Sequence, residues 1–171
     1  MRLEISSLKD NKGKSLSFKF EENLSPLDLG GEVIDFVCPV LVEGTATNVG
    51  SGILVDFTVN AEVVIDCDRC LQPVQIIIET NATEEFVEAK SARIPESGEE
   101  KEFHTYKGNV LDIGDVVEEN ILLGVPMKIL CCEECKGICS SCGADLNIKE
   151  CQCSQQDVDP RMEKLKDWFN G

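Results

Sequence analysis

The chain has 171 residues, 42% of them hydrophobic, with 16 basic against 32 acidic side chains, a formal charge of −16 and ten cysteines. That length permits one domain, or one domain and a small module, with a real apolar core. The acidity argues against a broad basic face for nucleic acid, and no apolar run approaches the roughly 18–20 residues of a membrane span.

Leu3 and Ile5 alternate with Arg2 and Glu4 as in a half-buried strand. Lys9–Lys14 is polar and turns around Asn11-Lys12-Gly13, and Ser15–Glu21 alternates again with Leu16, Phe18 and Phe20 on one face. The pattern predicts an opening β-hairpin. Lys9, Lys12 and Lys14, with Lys19 nearby, are the one local excess of positive charge. They are a candidate for a modest RNA phosphate contact, against the plainer reading as solvated lysines at a hairpin tip. Residues 24–31 read as a loop.

A β-rich middle follows. Residues 37–43, 52–61, 62–66 and 74–80 are rich in Val, Ile, Leu, Phe and Thr, with turn chemistry at Asn48-Val-Gly50-Ser-Gly52. Short strands at this spacing predict an antiparallel sheet or small barrel. Cys38, before Pro39, reads as a small buried hydrophobe. The acidic stretch from Thr83 leads into 90–101, which reads as an exposed loop, and 103–106 rejoins the sheet. His104 has no catalytic neighbour in sequence and reads as a surface or packing residue.

Asp112–Leu123 is the first clear helix, with Ile113, Val116, Val117 and Ile121 as its apolar stripe. Asp112 is the predicted cap, with Asp115 completing a capping-box pattern. Gly124 and Pro126 end the helix. Near the C-terminus, Asp159-Pro160 opens a short closing helix with Met162, Leu165 and Phe169 on one face and Trp168 beside it.

Seven of the ten cysteines fall in the 23 positions from Cys131 to Cys153. Cys139-Ser-Ser-Cys142-Gly143 has the form of a zinc knuckle, whose last residue needs the left-handed conformation that glycine adopts freely. Cys151 and Cys153 can return a second pair to close a tetrahedron with Cys139 and Cys142. A second C-x2-C, Cys67-Asp-Arg-Cys70, lies between two predicted strands. It would be completed by two of Cys131, Cys132 and Cys135.

Soft thiolates favour zinc or an iron–sulfur cluster, and the ferredoxin run C-x2-C-x2-C-x3-C-P is absent. Met1-Arg-Leu-Glu-Ile5 has no apolar signal-peptide stretch. A cytoplasmic chain, which this predicts, disfavours stable disulfides. The expectation is one or two structural Zn²⁺ ions. The fold class expected is α+β: an antiparallel β-rich body over 1–125, with its helix near 112–123, and a cysteine-rich zinc module with a closing helix over 126–171.

With these pieces in hand, the chain resembles the large ribosomal RNA subunit accumulation protein family, the YceD type, long catalogued as a domain of unknown function. The resemblance is carried by Cys67-Asp-Arg-Cys70-Leu71, by Leu111-Asp112-Ile113 leading to Glu119-Asn-Ile-Leu-Leu123 and Pro126, and by Cys131. It continues through Cys135-Lys-Gly-Ile-Cys139-Ser-Ser-Cys142-Gly143-Ala-Asp-Leu-Asn147, Cys151-Gln-Cys153 and Asp159-Pro160-Arg161. Cys132 departs from the family's usual pattern. The resemblance implies a bacterial cytoplasmic protein needed for synthesis, processing or stability of 23S ribosomal RNA, with no known catalytic activity. Some members lack most of the cysteines, which implies that the metal supports structure.

The expected function is therefore a non-catalytic ribosome-biogenesis factor. Its acidity favours a basic ribosomal or rRNA-processing protein as partner, with weak direct rRNA contact through Lys9, Lys12 and Lys14 or an exposed lysine such as Lys136, and no membrane. The alternatives are a zinc-dependent thiol redox sensor cycling Cys67 and Cys70, or a metalloenzyme. Against the enzyme, the deaminase signature H-x-E…P-C-x-x-C is not met, because Thr105 and Tyr106 follow His104.

Overall fold

The computed structural model describes residues 1–89 and 104–153. The loop expected over 90–101, Phe103 and the closing helix expected from Asp159 lie outside the described residues. The described residues are mostly antiparallel β-sheet with two helices. They divide into two compact units, Met1–Asp66 with Pro73–Ile129, and Cys67–Gln72 with the chain from Leu130. Among them, no helix is long and apolar enough to cross a membrane.

The first unit is built on one long hairpin. Strand β6 (Ile53–Asp66) pairs antiparallel with β7 (Pro73–Glu88) in unbroken register from Ile53↔Phe86 to Asp66↔Pro73. Strict alternation sets this length. Ile53, Val55, Phe57, Val59, Ala61, Val63 and Ile65 all point inward and are buried, while the residues between them are not. The two strands expected over 52–61 and 62–66 are thus one. The strand expected over 74–80 continues through the acidic residues to Glu88, because Phe86 still has its core position opposite Ile53.

The other edge of β6 carries β5 (Val40–Asn48) and then β4 (Glu32–Phe36). Between Phe36↔Val63 and Leu41↔Asn60 the outer chain holds two residues more than β6 does. The excess is a bulge at Val37-Cys38-Pro39, where proline offers no N–H to a ladder. This divides the strand expected over 37–43. It also overturns the expected burial of Cys38, whose thiol is exposed and 3.7 Å from Glu62 Oε2. Within 24–31, expected to be loop, Leu27–Leu29 forms β3 against β4.

The opening hairpin does not form. β1 (Arg2–Glu4) pairs with β9 (Val110–Asp112), and β2 (Ser15–Glu22) pairs with β5. Between β1 and β2 lies a single helical turn, α1 (Ser6–Lys9), which puts Leu8 in the core beside Ile5. Helical spacing of those two apolar residues outweighs the turn chemistry that follows them. In the β2–β5 pair Phe18 lies opposite Gly44, where a Cβ would stand only 2.8 Å from the Phe18 ring and 2.7 Å from Phe57 Cβ. The missing side chain makes room for the ring.

β8 (His104–Tyr106) joins β7 in parallel. The His104 ring lies 5.2 Å from Phe86, and its Nε2 is 3.5 Å from Glu84 Oε2. Helix α2 (Gly114–Gly124) buries Val116, Val117 and Ile121. Asp112 does not cap it. The N-cap is Ile113 with no side-chain hydrogen bond, while Asp112 closes β9 and its Oδ1 accepts from Gly114 N–H at 3.1 Å.

Candidate metal centre

The second unit contains the two C-x2-C turns. Cys67 follows β6 directly and is buried, at the start of the tip that joins β6 to β7. In that tip Cys67 N–H donates to Gln72 O at 2.8 Å and Leu71 N–H to Cys67 O at 2.9 Å. The downstream turn repeats the pattern: Cys139 N–H donates to Ala144 O at 2.8 Å and Gly143 N–H to Cys139 O at 2.8 Å. Leu71 and Gly143, each following the second cysteine, have φ of 58° and 70°. The two turns therefore share one backbone design, and Leu71 adopts a conformation that costs a side-chain-bearing residue roughly 1–2 kcal/mol.

Each turn bends its N–H groups toward sulfur. Cys67 Sγ accepts from the backbone N–H of Cys131 at 3.4 Å. The backbone N–H groups of Cys142 and Ser141 act on Cys139 to favour its thiolate. The Asn147 side chain and the Gly137 N–H act likewise on Cys135.

Two four-cysteine sets result. Cys67, Cys70, Cys131 and Cys135 form the upstream set, and Cys139, Cys142, Cys151 and Cys153 the downstream set, with all sulfurs of a set within 4.8 Å of one another. Cys67 Sγ is 3.9 Å from Cys135 Sγ, and Cys70 Sγ is 3.6 Å from Cys131 Sγ. Bonds of roughly 2.3 Å to a tetrahedral metal imply sulfur–sulfur edges of about 3.8 Å. The spacing and the all-thiol donor set both fit a four-coordinate metal ion. Cys132 is exposed, with its Sγ 4.0 Å from Cys131 Sγ, and lies outside the set.

The electrostatics agree with the geometry. Burial pushes the Cys67 thiol up, but the N–H donors of Arg69, Cys131 and Cys70 outweigh it and bring it down to about 6. The N–H groups of Cys142 and Ser141 bring Cys139 down to about 6 as well. Neighbouring thiols move the other way. Cys135 and Cys70 push Cys131 up, and Cys142 pushes Cys153 up to about 12. Cys67 and Cys135 are thus lowered in the upstream set and Cys139 in the downstream set, while Cys70, Cys131, Cys151 and Cys153 are raised.

Two residues to which sequence reasoning gave no role organise the upstream set. Arg69 donates from Nη1 to Cys135 O at 2.6 Å, and its own carbonyl accepts from Ile138 N–H at 3.0 Å. Gly137, at φ 75°, lets Arg69 O approach to 2.8 Å of where a Cβ would be. Asn147 donates from Nδ2 to Cys135 Sγ at 3.4 Å. Both residues stand inside the cysteine motifs, but only distance in the folded chain reveals their partners.

Lys9, Lys12 and Lys14 belong to the first unit and Lys136 to the second. Lys9 Nζ is held by Glu88 Oε1 at 3.1 Å and Gly108 O at 2.7 Å, and lies 5.3 Å from the centre of the Tyr106 ring. Lys12 and Lys14 are exposed. Lys136 is exposed too, and its backbone N–H is bound by Asn147.

A β-sheet body and two four-cysteine sets that could each hold a metal ion define the class of this protein. Residues 55–168 match the family described as large ribosomal RNA subunit accumulation protein YceD, and the chain belongs to that family. It is similar to the protein YlbN of Bacillus subtilis, with 31% identity over 153 residues, covering 88% of this chain and 87% of that one. It is also similar to the protein Rv2926c of Mycobacterium tuberculosis, with 33% identity over 118 residues, 69% of this chain but 56% of the longer relative. A shorter match, 33% over 49 residues, covers 29% of this chain and 15% of a chloroplastic YCED homolog of Arabidopsis thaliana, named for large ribosomal RNA subunit accumulation. No solved structure matches the chain.

Proposed function

We propose that this chain is a non-catalytic factor for the accumulation of large-subunit ribosomal RNA. It works in the cytoplasm through a basic protein partner, a ribosomal or rRNA-processing protein, and holds a structural Zn²⁺ in each four-cysteine set. The observation that carries the reading is family membership over residues 55–168. The cysteine sets support the non-catalytic part. Catalytic zinc keeps a coordination position open, usually on three protein ligands, whereas each set here offers four thiols. A formal charge of −16 supports a basic protein, not bare RNA, as the main contact. A direct RNA contact would fall first to Lys12 and Lys14, since Lys9 reaches RNA only by leaving Glu88.

The test is depletion of the protein in its host, with the ratio of mature large-subunit to small-subunit RNA as readout. The ratio falls on depletion and recovers with the wild-type chain. An unchanged ratio overturns the functional reading. Zinc analysis of protein purified without chelator tests the metal separately, and a metal-free chain with its cysteines in disulfides overturns that part alone.

A further inference from the structure

We propose that Asn147 is a positioning residue for the upstream metal set, presented by the loop that the downstream set closes, so that metal binding at the two sets is thermodynamically coupled. The inference rests on the metal reading above. Asn147 lies between Cys142 and Cys151 in sequence, inside the downstream set, yet its side chain serves the other one. Its Nδ2 donates to Cys135 Sγ at 3.4 Å, and its Oδ1 accepts from Lys136 N–H at 2.8 Å. Chemistry orients the amide. Only its oxygen can receive the Lys136 N–H, which leaves the NH₂ for the sulfur and for Asp145 Oδ1 at 2.9 Å.

The loop that holds Asn147 is tied to the downstream knuckle. Ala144 O receives Cys139 N–H, Ile138 and Asp145 form a β-bridge, and Leu146 N–H donates to Gly137 O at 2.9 Å. Asp145 Oδ1 also receives Asn147 N–H at 2.8 Å. Cys139 and Cys142 stand at one end of this loop, Cys151 and Cys153 at the other. A metal in the downstream set fixes both ends and removes chain freedom between them. Asn147 is then already in place when the upstream set binds, and its N–H···S bond stabilises the Cys135 thiolate. Partners of this kind typically set metal affinity by 10–100-fold. Ordering done by one metal need not be repeated for the other, and linkage makes the effect equal in both directions.

The test uses the full chain and cobalt(II), with affinities from competition against a chromophoric chelator. Asn147→Asp keeps the size and the acceptor for Lys136 N–H, and removes the amide donor that faces both Cys135 Sγ and Asp145 Oδ1. It lowers upstream affinity by about 10–100-fold and moves that set's sulfur-to-cobalt charge-transfer band to longer wavelength, while the downstream set still loads. Disabling the downstream set with Cys142→Ser and Cys151→Ser weakens upstream binding about 5-fold or more, and Asn147→Asp then adds little further loss. Disabling the upstream set with Cys67→Ser and Cys135→Ser weakens downstream binding by the same factor. The disabled-set chains keep Asn147 and test the coupling even where Asn147→Asp fails to fold. Two cobalt ions bound with independent affinities, or an upstream affinity and band unmoved by Asn147→Asp, overturn the inference and leave the metal reading intact. A wild-type chain that takes up no metal at either set overturns both.

Discussion

Single residues fasten segments that are distant in sequence. Asn48 is the buried polar side chain of the described core, at 8% exposure. Its Nδ2 donates to Leu8 O at 2.7 Å and Lys9 O at 3.2 Å, and its Oδ1 accepts from Gly50 N–H at 2.8 Å. It thereby ends α1 and forms the turn after β5 with one amide. Asn48→Ala leaves buried carbonyls unpaired and destabilises the first unit by about 1–3 kcal/mol; urea unfolding measures this, and a loss below ~0.5 kcal/mol would mean that water replaces the amide freely. Asp112 gives a pH-dependent case. The Gly114 N–H holds its carboxyl below the ordinary value against partial burial, and Arg2 adds to the effect. Because the folded value is the lower one, its contribution is present above the unfolded value and is lost as pH falls through the folded one. Its side chain is 55% exposed, so screening keeps the effect small. Asp112→Asn is therefore expected to cost stability at neutral pH and nothing at strongly acid pH. A penalty that persists undiminished in acid would assign the role to shape, not charge.

At the scale of elements, the β6–β7 hairpin and the knuckle at its tip are one continuous piece of chain that serves two units. Cys67 follows the last residue of β6 directly in the chain. The hydrogen-bond pattern shared by 67–72 and 139–144 shows that C-x2-C specifies the turn in both surroundings, with leucine or glycine at its close. Structural zinc in small domains supplies roughly 10 kcal/mol or more of folding free energy. Cys142→Ser, or chelation, is accordingly expected to remove hydrogen-exchange protection from Cys67–Gln72 and the described chain after Leu130, while β5, β6 and β7 keep theirs. Loss of protection spread evenly over β5–β7 would mean that sheet and metal form one cooperative unit.

For the whole molecule, charge decides what kind of contact it makes. At −16, it repels phosphate at long range, and two of its lysines are already paired, Lys9 with Glu88 and Lys19 with Glu43. Non-specific protein–nucleic acid binding at physiological salt typically has dissociation constants of about 10⁻⁴–10⁻⁶ M even with basic surfaces. The purified chain is expected to bind naked ribosomal RNA no better than this. Its salt slope should correspond to a few phosphates at about −0.7 each and flatten when Lys9, Lys12 and Lys14 are replaced. Nanomolar binding that ignores those lysines would place RNA recognition on the cysteine-rich unit and remove the need for a protein partner.

The sequence by itself determined the chemistry and the local periods. Cysteine spacing defined the two knuckle turns, period-two alternation defined β2, strand-rich composition marked β6 as two strands and the first part of β7, and the Ile113–Ile121 stripe defined the body of α2. These are properties of a few neighbouring residues, and they survive in any fold that buries them. Tertiary structure alone decided the pairings. β1 joins β9 because Leu3 and Leu111 share a core. The Cys38 bulge arises because two collinear strands must share one edge of β6. Cys131 and Cys135 complete the upstream set while Cys132 stays outside, because one step along the chain turns a side chain away from the other three sulfurs. Asn147 meets Cys135 only once the loop between them has closed. In each case the partner is chosen by what competes for the same buried space, and that competition is settled among residues far apart in sequence.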